Sequence, residues 1–157
     1  IDEYRVFSAD ALANNVCVLL TPTPWMFEGL EMWHMSAPNY HVDSDYEFFE
    51  GRKNYASTLA GAYYAARLPV AEYLDSVGRQ AGAIVFMEVM NDWIPLGVWR
   101  FRELAKESLT KPPASFNTLE SALGEISKRL KSPISPWLNA SKLYRYMREQ
   151  KRLLDFY

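Results

Sequence analysis

The sequence predicts an α+β fold in which a small mixed sheet is covered by helices, followed by a C-terminal helical segment and an extended or 3₁₀ tail. Short apolar runs bounded by turn residues alternate with segments of helical spacing. The 157 residues are 49% hydrophobic and 23% charged, which is enough to bury a core and too apolar for disorder. We expect residues 1–110 to form the α+β core, 111–149 a helical extension and 150–157 a tail.

The strands are predicted from short apolar runs. IDEYRVF, residues 1–7, is typical of an extended segment. VCVLL (16–20) and LEMWH (30–34) are apolar and bounded by turn residues, so both are expected to be strands. GAIVFMEVM (82–90) is apolar at positions that would point to both faces, which indicates a central strand.

Between these strands, residues 54–80 carry apolar side chains close to helical spacing. Asn54 is a possible N-cap for this helix. Pro69 is expected to kink or divide it, because proline lacks an N–H donor and clashes with the preceding turn. A short helix is expected over 102–109.

The second region begins at KPPASFN (111–117), which is expected to be a linker or loop. Residues 119–130 place four apolar side chains on one helical face, with Thr118 and Ser121 near its start. Pro133 and Pro136 are expected to break this helix. A last helix is predicted over 139–150, capped at Asn139 or Ser141.

Charge is unevenly distributed along the chain. Residues 1–99 carry 5 basic and 13 acidic side chains, whereas residues 100–157 carry 12 basic and 6 acidic ones, so the net charges are −8 and +6. This split favours a basic face that meets nucleic acid or an acidic partner, although solvated helix faces would explain it equally well.

Cellular location is also indicated by composition. The single Cys17 cannot form an internal disulfide, which fits a reducing compartment. No run approaches the roughly 18 apolar residues that cross a bilayer, and there is no signal-peptide pattern. We therefore expect a soluble intracellular protein without membrane contact. The missing initiator Met and the strand-like start suggest a C-terminal piece of a longer protein.

The run HVDSDYE contains a candidate metal site. On a strand, Asp43, Asp45 and Glu47 would share one face, where three carboxylates can hold a divalent cation and His41 can add a nitrogen ligand. This arrangement would suit a metal-dependent nuclease or hydrolase. Ordinary surface acids in a loop explain the run as well and are the favoured reading.

Carboxylates also occur in or beside apolar strands, at Glu28, Glu31 and Glu88. An unpaired buried carboxylate is costly, so we expect arginine partners that serve structure rather than catalysis. The candidates are Arg52, Arg67, Arg79, Arg100 and Arg102.

The run AYYAAR (62–67) suggests a nucleic-acid contact. Neighbouring residues of a helix point about 100° apart, so only one of the two adjacent tyrosines can face the core. The other could stack on a nucleobase while Arg67 reaches a phosphate. Tyr64 and Arg67, with the upstream pair Arg52 and Lys53, are thus candidate nucleic-acid residues, although a simple core-and-surface split is the more common arrangement.

The C-terminal QKRLLDFY contains a spaced motif. Gln150, Leu153, Phe156 and Tyr157 match Q-x-x-L-x-x-F-Y, the pattern of peptides that dock on the sliding clamp of DNA replication and repair. Residues i and i+3 eclipse in a 3₁₀ turn, which would bring Leu153 and Phe156 to one side. A terminal helix folding back on its own domain is the alternative.

Several long runs resemble one protein family. PTPWMFEGLEMW (22–33), DYEFFEGRKNYASTLAGAYYAARLPVAEYL (45–74), GRQAGAIVFMEV (78–89) and PLGVWRFRE (95–103) are similar to the C-terminal domain of the archaeal Nre DNA repair proteins. The patterns GRK-x-YA, G-x-YYAAR, RQA and PLGVW-x-x-RE carry this resemblance, which covers most of residues 14–109.

The resemblance implies a DNA repair role in an archaeal cytoplasm, near the nucleoid, and docking to the PCNA sliding clamp through the C-terminal peptide. Family members are longer, so an N-terminal part is expected to lie outside this chain. No catalytic residues can be carried over. Zinc-binding cysteines associated with the family's N-terminal part are absent, since Cys17 stands alone; a divalent cation is the remaining cofactor candidate.

Overall fold

A computed structural model describes residues 1–149 and contains one mixed sheet within them. Its order is β4-β3-β5-β2-β1-β6. The central neighbours β3 and β5 run parallel, and every other pair in the sheet is antiparallel. The strands are β1 (Tyr4–Ala11), β2 (Asn14–Thr21), β3 (Phe27–Trp33), β4 (Val42–Glu47), β5 (Gly82–Val89) and β6 (Ala114–Phe116).

Five helices cover this sheet in the described part of the chain. The helices are α1 (Gly61–Ser76), α2 (Trp99–Leu109), α3 (Leu119–Arg129), α4 (Ile134–Ala140) and α5 (Lys142–Glu149). Buried residues of α1 and α2 pack into one apolar cluster with one face of the sheet, and those of α3 to α5 pack into a second cluster with the other face. The predicted α+β class is therefore confirmed, as a three-layer arrangement.

The apolar runs became strands where they were expected. β5 is buried at all eight positions and lies between β2 and β3, which confirms its central placement. β4 contains the acidic run, so that run is a strand and not a loop. The expected linker at 111–117 is corrected by β6, because Tyr4 to Val6 of β1 provide a pairing edge that cannot be seen locally.

The long helix differs from its prediction at its start. α1 begins at Gly61 and Asn54 does not cap it; the preceding Ala60 has a φ of 48° and makes no side-chain cap. Pro69 lies inside α1 without dividing it, because buried residues before and after the proline hold the helix on the sheet. Tertiary packing outweighs the local cost of the proline here.

The helix starts in the second region agree better with the sequence. The Thr118 hydroxyl accepts a hydrogen bond from the Ser121 N–H at 3.2 Å and caps α3. The Ser141 hydroxyl accepts from the Tyr144 N–H at 3.0 Å in the first turn of α5. Pro133 lies directly before α4, at its N-cap position. Pro136 lies in the first turn of α4, where a missing N–H donor is tolerated.

Residues 111–149 do not stand apart from the sheet. β6 extends it at the β1 edge, and Trp137 of α4 is completely buried in the second apolar cluster. Among residues 1–149, no helix is both long and apolar enough to span a membrane.

Candidate functional site

Two acidic residues on β4 hold two arginines that the sequence associates with nucleic acid. Asp45 and Glu47 are each 6% exposed. Arg52 lies 3.3 Å from Asp45, and Arg67 lies 2.8 Å from Glu47. Trp25 also donates its indole N–H to Glu47 at 2.8 Å, and the Arg67 guanidinium lies 5.1 Å from the Trp25 ring. The four residues are thus brought together as two ion pairs at one sheet edge.

Arg52 also organises the loop between β4 and α1. Its guanidinium donates to the carbonyls of Tyr46 at 2.7 Å, Asn54 at 3.2 Å and Tyr55 at 3.3 Å. From the other side, Asp45 accepts the N–H groups of residues 58 and 59 at 2.9 and 2.7 Å. The contacts of Arg52 with three carbonyls and with Asp45 use most of the five N–H donors of its guanidinium. Arg52 therefore stabilises the loop and has few donors left for a phosphate.

The two adjacent tyrosines of α1 divide between core and surface. Tyr63 is fully buried, whereas Tyr64 is 37% exposed. The Tyr64 hydroxyl accepts the Ala56 N–H at 3.0 Å, and its ring lies 4.9 Å from that of Tyr55. Lys53 is exposed in the same loop. Tyr64 and Lys53 are therefore accessible, while their arginine neighbours are already paired.

Three candidate metal ligands, Asp43, Asp45 and Glu47, share one face of β4, and His41 lies just before the strand. His41 contacts Asp43 at 3.0 Å in an exposed pair, and Asp45 and Glu47 are bound to arginines. No group of three or more His, Cys, Asp or Glu side chains within residues 1–149 is positioned to hold a metal ion. The predicted cluster is not assembled, because cations and N–H donors already occupy its carboxylates.

Glu28 of β3 is a buried carboxylate held without arginine. It accepts the Ser44 hydroxyl at 2.7 Å and the Ser141 hydroxyl. It also accepts the N–H groups of Lys142 at 2.8 Å and Leu143 at 3.1 Å, the first two residues of α5. Burial raises the pKa of Glu28, and these four donors offset the increase only in part. This carboxylate fastens the start of α5 to the sheet.

Glu88 of β5 plays the matching part at α4. Its carboxylate accepts the N–H groups of Lys131 at 2.9 Å and Ser132 at 2.7 Å, just before that helix. Asn15 donates to it at 3.0 Å, and His34 lies at 2.8 Å. Burial acts to raise the pKa of Glu88, but these donors together outweigh it and hold the pKa below its usual value.

The expected arginine partners are therefore wrong for both residues. Glu28 and Glu88 are completely buried. Each carboxylate accepts hydrogen bonds from backbone N–H groups that lie more than 40 residues away along the chain. A backbone donor has no sequence signature, so the pattern of charged side chains could not reveal these partners. Helix starts also favour negative charge, which adds to the binding.

Glu31 has an arginine in its surroundings, although the two form no ion pair among the described contacts. Trp33 donates its indole N–H to Glu31 at 2.7 Å. Burial raises the pKa of Glu31, while the Trp33 donor and the positive charge of Arg100 lower it. Arg100 is 7% exposed, and its guanidinium lies 5.4 Å from the rings of Trp33 and Trp93. The cluster supports the ends of the parallel strands β3 and β5.

The sequence prediction missed a cationic surface on α5. Lys142, Arg145 and Arg148 are exposed and recur every three residues along this helix. A groove of about 370 Å³ runs beside them, and Arg145 and Arg148 lie in its wall. The excess of basic residues after position 100 was the available signal, but it did not identify which cations stay unpaired.

Comparison with known proteins gives a consistent result. The profile of the family described as "Archaeal Nre, C-terminal" matches residues 47–156, well over half of the chain. The chain belongs to the archaeal Nre family. The profile "Archaeal Nre, N-terminal" matches residues 1–39. The resemblance of residues 14–39 to the C-terminal domain is therefore corrected, because these residues match the N-terminal domain of the family.

Named relatives within the Nre family are similar over nearly the whole chain. DNA repair protein NreB of Archaeoglobus fulgidus is 36% identical over 162 residues, which cover 99% of this chain and 41% of that protein. DNA repair protein NreA of Haloferax volcanii is 33% identical over 86% of this chain and 34% of its own length. The chain thus spans less than half the length of these relatives. No solved structure matches it significantly.

The two Nre profiles do not divide the fold. β1, β2 and β3 lie in the segment matched by the N-terminal profile, and β5 and β6 lie in that matched by the C-terminal one. Yet β5 is inserted between β2 and β3, with a parallel pairing to β3. Both Nre segments are therefore needed to complete a single sheet.

Proposed function

We propose that this chain is part of a DNA repair factor recruited to the PCNA sliding clamp through Gln150, Leu153, Phe156 and Tyr157. The single observation that carries the clamp contact is the spacing Q-x-x-L-x-x-F-Y after α5. The repair role is supported by the names of its relatives, DNA repair proteins NreA and NreB. The four contact residues lie outside the described residues 1–149.

The physical basis of the contact is a compact apolar plug. In a 3₁₀ turn Leu153 and Phe156 fall on one side, with Tyr157 beside them. Lys151 and Arg152 add positive charge that suits an acidic clamp surface and speeds encounter. The folded domain supports this arrangement because Glu28 fixes the start of α5, from which the peptide continues.

The test is calorimetric titration of the clamp with wild-type chain and with Phe156→Ala/Tyr157→Ala. We expect the double variant to lose clamp affinity and to keep its melting temperature. Leu154→Ala is the matched control, since it removes an apolar side chain from the same peptide at a position the motif does not use. Unchanged affinity in the double variant, or equal loss in Leu154→Ala, would refute the clamp contact.

Further measurements distinguish two other functions from this one. A metal-dependent nuclease acting through Asp43, Asp45 and Glu47 requires a melting temperature that rises with divalent cation in the wild type but not in Asp45→Ala. The placement of these acids gives that function no support. A purely structural module requires neither clamp nor DNA affinity.

The proposal also includes DNA contact near Arg52, Lys53, Tyr64 and Arg67, but only two of these residues would contact DNA directly. Lys53 and Tyr64 are accessible and would contact the nucleic acid, whereas Arg52 and Arg67 hold the loop and helix that present them. Lys53→Ala should weaken DNA binding without lowering the melting temperature. An unchanged DNA affinity would remove this loop from the interface.

A further inference from the structure

Cations on the described surface differ in whether a carboxylate already neutralises them. Arg52, Arg67, Lys111, Lys128 and Arg129 all take part in ion pairs. Within residues 1–149, no ion pair involves the cations of α5. Those cations are Lys142, Arg145 and Arg148, and all three are exposed. Lys53, Arg79, Lys106 and Lys131 are likewise in no described ion pair, but they are scattered over the surface. Among the described helices, α5 alone carries three such cations, and Glu149 at its end is the acidic residue beside them.

A groove lies beside α5, so the positive charge borders a concave surface. Its volume is about 370 Å³, and its walls come from α4 and α5. The lining residues are Leu138, Asn139, Tyr144, Arg145, Arg148 and Glu149. The Arg148 guanidinium lies 5.8 Å from the Tyr144 ring, which holds that cation at the groove. Guanidinium groups with a neighbouring amide are typical phosphate-binding groups.

The groove is built on a rigid base. Glu28, completely buried, accepts the N–H groups of the first two residues of α5, and Leu143 of α5 is 1% exposed in the core. On the α4 side, Trp137 is fully buried and donates its indole N–H to Ser132 at 3.0 Å. Fixed cations lose less conformational freedom on binding than cations on a loose segment.

We propose that the groove between α4 and α5, with Arg145 and Arg148 in its wall and Lys142 on the same helix, binds the phosphodiester backbone of DNA. Each guanidinium donates to a phosphate oxygen, and the Asn139 side-chain amide donates alongside. This site is separate from Lys53, in the loop before α1, and Tyr64, on α1, because α1 covers the opposite face of the sheet. It rests on the proposed repair role but not on the clamp contact, and it predicts DNA affinity in the absence of clamp.

The test is fluorescence anisotropy with labelled DNA and no clamp, at about 50 and about 200 mM salt. Arg145→Ala/Arg148→Ala should weaken binding about tenfold at the lower salt and reduce the log–log salt slope by about 2, because two phosphate contacts are lost. Duplex and single strand of equal length are titrated in parallel. Their relative affinities show which form supplies the phosphates.

The matched control is Arg102→Ala/Lys106→Ala, which removes the same charge from exposed positions of α2 on the other side of the sheet. Equal weakening in this control would mean that only net charge matters, and would overturn the site. An unchanged affinity in Arg145→Ala/Arg148→Ala would overturn it as well, provided circular dichroism shows an intact fold.

The clamp measurement keeps the two proposals distinguishable. Phe156→Ala/Tyr157→Ala should retain DNA affinity while losing clamp affinity, and Arg145→Ala/Arg148→Ala should do the reverse. Loss of clamp affinity in the arginine variant with DNA affinity intact would assign the groove to the clamp and refute DNA binding there. Failure of the tail variant alone leaves the groove's own test unaffected.

Discussion

The two faces of the sheet satisfy their buried carboxylates in different ways. On the face covered by α1 and α2, Asp45 and Glu47 bind arginine side chains. On the face covered by α3 to α5, Glu28 and Glu88 bind hydroxyl, amide, imidazole and backbone N–H groups. The consequence is that the first face uses its arginines internally, whereas the second leaves the cations of α5 available to a partner.

Burial accounts for the difference. Glu28 and Glu88 are 0% exposed, whereas Asp45 and Glu47 keep 6% and sit beside arginines that are part-exposed. Burying an ion pair removes two charges from water, and the attraction often fails to offset that cost. Binding a carboxylate with neutral N–H dipoles desolvates a single charge, so it suits the deeper position.

The largest effect should come from Glu88, which joins β5 to the chain before α4. Glu88→Ala leaves buried N–H donors at residues 131 and 132 without an acceptor, so we expect the free energy of unfolding to fall by about 3 kcal/mol. Urea unfolding measures this. Glu103→Ala, at an exposed position of α2, is the control and should change stability by less than about 0.5 kcal/mol.

A smaller loss of unfolding free energy is expected when an arginine that is bonded within the fold is replaced, and almost none when an unpaired surface arginine is replaced. Arg52→Ala removes three hydrogen bonds to loop carbonyls and the Asp45 pair, and should cost about 2 kcal/mol of unfolding free energy. Arg145→Ala, exposed and in no described ion pair, should cost less than about 0.5 kcal/mol. Similar losses in the two variants would contradict the division between the faces.

The smallest effects concern pH. The folded pKa of Glu28 is raised above 4.5, so its contribution to stability is full below pH 4.5 and is lost as the pH rises above it. The pKa of Glu88 is lowered, so its contribution is full above pH 4.5 and is lost as the pH falls below it. Each slope is at most about 1.4 kcal/mol per pH unit.

Urea unfolding from pH 3 to pH 7, on the order of five points, detects these slopes as the difference between wild type and each glutamine variant. Relative to Glu28→Gln, the wild type should lose stability as the pH rises through the upper part of this range. Relative to Glu88→Gln, it should lose stability as the pH falls through the lower part. Slopes of the same sign for both would contradict the assigned pKa directions.

Much of the fold could be predicted from local patterns. The uninterrupted apolar run of β5 required burial on both faces, and it lies in the middle of the sheet. Thr118 and Ser141 were among the candidate helix starts because a cap is a short-range hydrogen bond, whereas the alternative cap Asn139 lies inside α4. β6 was missed for the opposite reason, since its three residues become a strand only against the distant β1.

The candidate sites show the same limit. On a strand, the spacing of Asp43, Asp45 and Glu47 puts them on one face, but the sequence favoured a loop and could not show that Arg52 and Arg67 would bind two of these acids. It identified an excess of positive charge after residue 100 without locating it on α5. Spacing predicts which way a side chain points, and only the folded neighbours determine what it meets.

The sequence by itself determined the α+β class, the central strand, the membership in the Nre family that its long motifs indicated, and a tail with the spacing of a clamp-binding peptide. The tertiary structure decided how charge is used. Backbone N–H groups have no letter in a sequence, and they become partners of Glu28 and Glu88 only when α4 and α5 close over the sheet. That choice of partner leaves the cations of α5 unpaired among the described residues.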